Sequence, residues 1–182
     1  LGTDYLDLYL CHRYNPNIPI KETMRAMEVL IEEGLIKNIG VSNFNVARME
    51  EAQSETKYKI VANQVHFNLK YRESEKKGVL KYCQDNDVMF IAWRPIQKGM
   101  LLEKIPEILE EMCFKYNKTP AQIALNWLMS QKNVVTLAKT TNLEHMQENL
   151  GAIGWQMQES DIEKLRNEFP NQEDLSDTVT ID

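Results

Sequence analysis

The stretch "DLYLCHRYNP", residues 7–16, runs an apolar segment into an imidazole, a guanidinium and turn residues. Read alone, His12 is a core histidine whose second nitrogen has found a partner. The sharper reading is a catalytic acid at the rim of a barrel. The same kind of ending recurs along the chain. Ser42 and Asn43 close "NIGVS", Gln64 is followed two residues later by His66, Trp93 and Arg94 close "VMFIAW", and Lys139 and Thr140 close "VVTLAK". Each of these groups can hydrogen-bond, stack or carry charge. Lys139 and Thr140 also precede a capped helix, which places donors and a positive dipole end where an anion would sit. One or two polar strand ends would mean little, but five out of five favours a site at that face.

The elements that must hold these groups read as strand, helix, strand, helix. "YLDLYLC" (5–11) is a strand. In "KETMRAMEVLIEEG" the apolar Met24, Met27, Leu30 and Ile31 share one helical face, and Gly34 suits a left-handed stop. "NIGVS" is a short strand, residues 45–54 a helix, and "KIVANQVHF" the next strand. Residues 73–86 read as one helix with Val79, Leu80 and Cys83 on its apolar side. "VMFIAW" (88–93) is an uninterrupted apolar run, as expected of a strand buried on both faces. "IPEILEEMCFKYN" is helical, and "TPAQIALNWLMSQ" begins a helix that Thr119 can cap, with Pro120 in its first turn. After the strand "VVTLAK", Thr141 and Glu144 have capping-box spacing. A last helix covers 159–169, with Ser160 near its start. No linker or low-complexity tract interrupts the 182 residues, which read as a single domain with a parallel α/β sheet.

Composition narrows the function class. The net charge is −6, with Lys and Arg scattered, which argues against a nucleic-acid footprint or an anionic membrane surface. No apolar run approaches the length of a membrane span, and no signal peptide is visible. Three cysteines, Cys11, Cys83 and Cys113, share no metal-like spacing and read as small hydrophobes in a reducing, cytoplasmic setting. An open nucleotide-binding sheet usually carries a glycine-rich turn after its first strand. This chain has seven glycines and no G-x-G-x-x-G, so a closed barrel with its groups at the C-terminal strand ends is the better reading.

The segments "LGTDYLDLYLCH", "IKNIGVSNF", "NQVHFNL", "AWRPIQKGML", "TPAQIALNWL" and "LAKTTNLEHMQENL" resemble, in order and spacing, the aldo-keto reductase family. The resemblance covers essentially the whole chain. It implies a (β/α)8 barrel that binds an extended nicotinamide dinucleotide, of which this chain carries about the last five β/α units. His12 matches the family's catalytic histidine. Ser42, Asn43 and Gln64 match the trio holding the nicotinamide carboxamide, whose one acceptor and two donors suit hydroxyl and amide partners. Trp93 matches the aromatic position, commonly tyrosine, on which the nicotinamide stacks. Residues 96–101 correspond to the loop over the pyrophosphate, with Lys98 and Gly99 as contributors. Lys139 matches the partner of the adenosine 2′-phosphate and Thr140 its neighbour, while Glu148 and Asn149 match the adenine contacts. Where many members carry an arginine that also clamps the 2′-phosphate, this chain has His145, a poorer phosphate partner when neutral. The resemblance favours NADPH, with NADH as the alternative.

The resemblance also implies groups this sequence lacks. The family's aspartate, its general-acid tyrosine and the lysine that tunes it lie upstream of the histidine strand, and Tyr5 and Tyr9 do not match that tyrosine. As written, the chain is expected not to form an active monomer. Its open barrel edge invites self-association or pairing with a missing N-terminal segment. Three readings follow: part of a reductase of aldehydes or ketones, a catalytically silent nucleotide-binding barrel module, or an inactive truncated product. The first is favoured. His66 reads as a residue that packs or hydrogen-bonds near the barrel mouth, and Trp127 and Trp155 as core or packing aromatics. The polar, acidic tail "NQEDLSDTVTID" mildly disfavours a very apolar substrate.

Overall fold

Short β-rich runs alternating with amphipathic stretches are realised as a five-stranded parallel sheet in strict sequence order, with each crossover taken by helix. The computed structural model describes residues 2–99 and 104–181, and of Lys98 only the backbone. The strands are β1 (Tyr9–Cys11), β2 (Ile39–Ser42), β3 (Ile60–His66), β4 (Met89–Trp93) and β5 (Val134–Leu137). Among the described residues the helices are α1 (Ile20–Glu32), α2 (Val46–Ser54), α3 (Glu73–Lys76), α4 (Val79–Asp85), α5 (Glu107–Tyr116), α6 (Pro120–Met129), α7 (Leu143–Leu150) and α8 (Glu159–Glu168). A 3₁₀ turn spans Gln97–Gly99.

The register sorts the strand residues onto two faces. Val41, Asn63, Phe90 and Val134 align across β2–β5 and face the helices. There they join Met24, Met27, Met49, Val79, Leu109, Met112, Ile123 and Trp127 in the core. Trp127 is fully buried, and its indole N–H donates to the Ile162 carbonyl at 3.1 Å, so the ring's one polar atom is satisfied. On the other face Ser42, Gln64, Ile91 and Val135 align, and one step on His66, Trp93 and Leu137 do so. This second face is the inside of the curved sheet. Gly40 lies on it opposite Leu10, and a Cβ at Gly40 would stand 2.4 Å from Leu10 Cδ2 and 2.8 Å from the Ala62 carbonyl oxygen. No larger residue fits between those strands without shifting backbone.

Several expectations need correction. β4 is buried on both faces through Phe90, Ile91 and Ala92, but its first residue Met89 is 44 % exposed, and on the edge strand β5 Val135 and Leu137 are 39 % and 48 % exposed. The helix layer covers only the outer side. The strand expected from Tyr5 begins at Tyr9, because the chain bends at Asp7 and leaves Leu6 with a lone bridge to Ile36. The helix expected over 73–86 is two pieces, because Gly78 takes a left-handed φ of 74° between α3 and α4. Asn142, not Thr141, caps α7: its side chain accepts from the Glu144 N–H at 2.8 Å, while the Thr140 hydroxyl takes the Asn142 N–H at 3.0 Å. The last helix is as expected, α8 with Ser160 in its first turn, and its N-cap Gln158 makes no side-chain cap. Gly34 does stop α1 in the left-handed conformation, and Thr119 caps α6 in a full capping box with Gln122.

The last stretch folds back over the ends of β3 and β4. Buried Glu73 accepts the backbone N–H of Ser176 and of Ile181, both at 2.9 Å, and Lys77 pairs with the same carboxylate at 3.0 Å. Just before it, buried Arg72 lies 4.8 Å from the Trp127 ring centre and pairs with Glu75, which also pairs with Arg166. Burial pulls the Arg72 guanidinium down to about 10. Removing Glu75 would leave the guanidinium with the Arg166 carbonyl, the Trp127 ring and the more distant Glu163 as its remaining partners.

Candidate functional site

The sheet delivers its polar strand ends to one rim, in two groups. The first group lies over β1–β4. After β2 the chain turns at Asn43, whose φ of 61° is in the left-handed region that asparagine tolerates. The Asn43 backbone N–H and the Ser42 hydroxyl both donate to the Gln64 carbonyl oxygen, at 2.9 and 2.8 Å. Behind the sheet, Asn63 donates to the Phe44 carbonyl at 2.9 Å, so the turn is pinned from the core side as well. The Asn43 amide donates to Ser42 Oγ at 3.0 Å, and its oxygen accepts the Trp93 indole N–H at 3.2 Å. Ser42, Asn43 and Trp93 are thereby one connected set. The half-buried Gln64 amide, registered beside Ser42, has no hydrogen-bond partner among the described residues. His12 follows β1 at the edge, exposed, and its carbonyl oxygen accepts from the Asn43 amide at 3.4 Å.

The second group lines a cleft of about 570 Å³ between the end of β5, the 3₁₀ turn and α7. Its walls include Gly99, Lys139, Thr140, His145, Glu148 and Asn149, together with Arg94, Pro95, Ile96, Ala121 and Leu137. Six of the predicted residues thus share one cavity. The α7 dipole and its Asn142 cap stand beside Lys139 and Thr140, an arrangement suited to an anion. Two other clefts, of about 380 and 500 Å³, lie among α4, α6, α8 and the 152–157 loop, and neither contains a strand-end residue of the site. The side chain of Lys98, and residues 100 and 101 of the expected pyrophosphate loop, lie outside the described residues.

Between the two groups sits a network that the strand-end reasoning missed. His66 is buried, as its packing role implied, with Nε2 2.9 Å from Gln97 Oε1 and Nδ1 2.7 Å from Ser176 Oγ. Asn68 donates to the Arg94 carbonyl at 2.9 Å. Asp177 accepts from Arg94 at 3.2 Å and from the Gln97 amide at 3.0 Å. Burial pushes the Asp177 carboxyl up, but the Thr178 hydroxyl, His66 and Arg94 outweigh it and hold the group below the usual carboxylate range. Burial lowers His66, against smaller opposing pulls from Gln97 and Asp177. His66 and Arg94 stood among the polar strand ends, but for their link to Gln97, Ser176 and Asp177 the sequence signal was a polar tail at the end of an otherwise regular β/α series. No group of three or more His, Cys, Asp or Glu side chains among the described residues could hold a metal ion, and no helix there is long and apolar enough to cross a membrane.

A parallel sheet in sequence order, helix-covered on one face and with its polar groups on the C-terminal rim, is part of a (β/α)8 barrel. The model of the aldo/keto reductase family matches residues 1–167, and the chain belongs to that family. It is 35 % identical over 165 residues to an uncharacterized oxidoreductase, YtbE, of Bacillus subtilis, covering 91 % of this chain and 56 % of that protein. It is also 35 % identical to a glyoxal reductase of Bacillus subtilis, covering 57 % of it. Among solved structures, the thermostable aldo-keto reductase Tm1743 with the inhibitor epalrestat superposes with a TM-score of 0.87 at 41 % identity, over 90 % of this chain and 60 % of that one. An aldo-keto reductase of Klebsiella pneumoniae in complex with NADPH superposes with a TM-score of 0.85 at 28 % identity, over 98 % and 63 %. The chain therefore spans a little over half the length of the curated relatives it matches.

Proposed function

We propose that the protein carrying this chain reduces aldehyde or ketone carbonyls to alcohols with NADPH. The observation that carries the reading is the cleft in which Gly99, Lys139, Thr140, His145, Glu148 and Asn149 meet, at the same rim as the connected Ser42–Asn43–Trp93 set. Membership of an oxidoreductase family and likeness to a reductase solved with NADPH support it. The donor set fits a dinucleotide at both ends. Lys139 and Thr140 would hold the 2′-phosphate, with His145 a weaker third partner, and Glu148 and Asn149 would meet the adenine. Gly99 and Lys98 would approach the pyrophosphate. The unpaired Gln64 amide would join Ser42 and Asn43 on the nicotinamide carboxamide, and Trp93 would offer the ring a flat face.

When bound, the dihydronicotinamide supplies the hydride for the carbonyl carbon. His12 would orient the carbonyl and donate an N–H toward its oxygen. No tyrosine of residues 1–182 matches the family's general acid, so the proposal concerns a full-length protein of the kind its relatives are. The test is a fluorescence titration of that protein with NADPH and NADH, together with Lys139→Ala. Loss of one phosphate-paired cation should weaken NADPH by roughly 10- to 150-fold and NADH far less, since a charged hydrogen bond is worth roughly 1.5–3 kcal/mol. Equal weakening of both would remove Lys139 from the phosphate site. Saturable binding without carbonyl turnover would make the protein a nucleotide-binding module.

A further inference from the structure

His66 is buried at the centre of the rim, and the proposed chemistry gives it no task. It is registered beside Trp93 across the β3–β4 ladder. Its ring is the middle member of a three-ring stack: 4.4 Å from Trp93 at an interplanar angle of 15°, and 4.6 Å from Tyr71 at 26°. The indole is therefore backed on one face by His66 and tied at its edge to Asn43 Oδ1.

The hydrogen bonds of His66 assign its tautomer. Ser176 Oγ accepts the backbone N–H groups of Thr178 and Val179, each at 3.2 Å, which leaves its single proton for His66 Nδ1. The Gln97 amide nitrogen donates to Asp177, which turns the Gln97 oxygen toward His66 Nε2 as an acceptor. The ring is thus held as the Nε2–H form, with both nitrogens satisfied, one by the 3₁₀ turn and one by the C-terminal segment. A ring attached at Cβ and bonded at both nitrogens is held at three points, which define its plane, and its stacked neighbour is held with it.

We propose that His66 is a positioning residue that sets the plane of the Trp93 indole, and that Ser176 completes the hold from the C-terminal segment. The proposal rests on the reading that Trp93 carries the nicotinamide. It makes the nicotinamide half of the cofactor site depend on docking of the tail, while the adenosine half, 139–149, does not.

The two halves can be read separately in the full-length protein by titrating NADPH and the fragment adenosine 2′,5′-bisphosphate, which lacks the nicotinamide. His66→Ala should weaken NADPH roughly five- to ten-fold, the range for losing a stacked ring pair, and leave the fragment unchanged. His66→Phe restores a flat ring without the hydrogen bonds and should recover part of the loss. This variant also keeps the test open if His66→Ala fails to fold. Ser176→Ala should reproduce a smaller, NADPH-only weakening. Unchanged NADPH affinity in His66→Ala overturns the proposal, as does an equal loss for NADPH and fragment, which marks general destabilisation. If the unsubstituted protein binds the fragment but gains nothing from the nicotinamide half, Trp93 is not the nicotinamide platform, and that underlying reading falls first. Binding of neither ligand removes the dinucleotide reading altogether.

Discussion

Two histidines stand at the same rim in opposite environments, and the proposed function gives them different tasks. His12 is exposed at the edge of the sheet, able to turn toward a substrate; His66 is buried, with both nitrogens committed. A group that donates to the reacting oxygen contributes to the transition state and little to cofactor binding. His12→Ala in the full-length protein should therefore cut carbonyl turnover by about 10²–10⁴-fold while NADPH affinity stays within a factor of two or so, read by steady-state kinetics beside the titration. A fall in affinity of the same size would return His12 to a structural role. At this scale residue type and strand-end position were enough to collect Ser42, Asn43 and Trp93, which the structure links by hydrogen bonds. Nothing in the sequence around Gln97 or Ser176 separates them from ordinary loop polarity. Their importance comes from contacts with His66 that are 31 and 110 residues away along the chain.

At the scale of elements, the cleft depends on how α6 is anchored. Thr119 accepts the Gln122 N–H at 3.3 Å, and the Gln122 side chain returns to the Thr119 N–H at 3.1 Å. The amide nitrogen of Gln122 also donates to the Glu148 carbonyl at 2.9 Å, so one capping residue sets the height of α7 against α6. Glu148 and Asn149 line the cleft from that end of α7. Thr119→Ala should cost about 1 kcal/mol of stability, seen as a fall in Tm of roughly 2–4 °C, with NADPH affinity near that of the unsubstituted protein because Gln122 keeps its bond to Glu148. A larger loss of affinity would mean that the cap itself holds the cleft. This cap was legible because Thr, Pro and Gln at fixed offsets act locally. The break at Gly78 was not: an isolated glycine inside an apolar-periodic stretch reads equally as a tolerated helix residue, and only the turn into α4 requires its positive φ. The exposure of Met89 and Val135 was illegible for a related reason. A continuous apolar strand shows that both faces suit burial, not that both are covered by the residues at hand.

For the molecule as a whole, the C-terminal segment converts a local titration into a global property. Among the described residues whose titration the fold shifts, His66 is the one whose ordinary value lies between pH 5 and 8, and burial lowers it. It is faced by Asp177 and Glu73, which favour its charged form, by Arg94, which opposes it, and by the uncharged Trp93, Tyr71, Gln97 and Ser176. Because the unfolded chain takes up a proton near pH 6.5 while the folded one resists, stability is full above about pH 6.5 and declines as pH falls toward the folded-state value. Urea unfolding followed from pH 7.5 to 5 should show this decline, and His66→Phe should flatten it; an unchanged slope in that variant would place the proton uptake elsewhere. The grip of Glu73 on the same segment works differently. Its two oxygens hold main-chain N–H groups at Ser176 and Ile181, which every residue except proline presents. Neither bond depends on the side chain at the position it reaches, so the clamp itself would survive substitution of Ile181 by any residue but proline. The path of this part of the rim is thus written into the main chain, and attachment and surface chemistry are set by different atoms of the same segment.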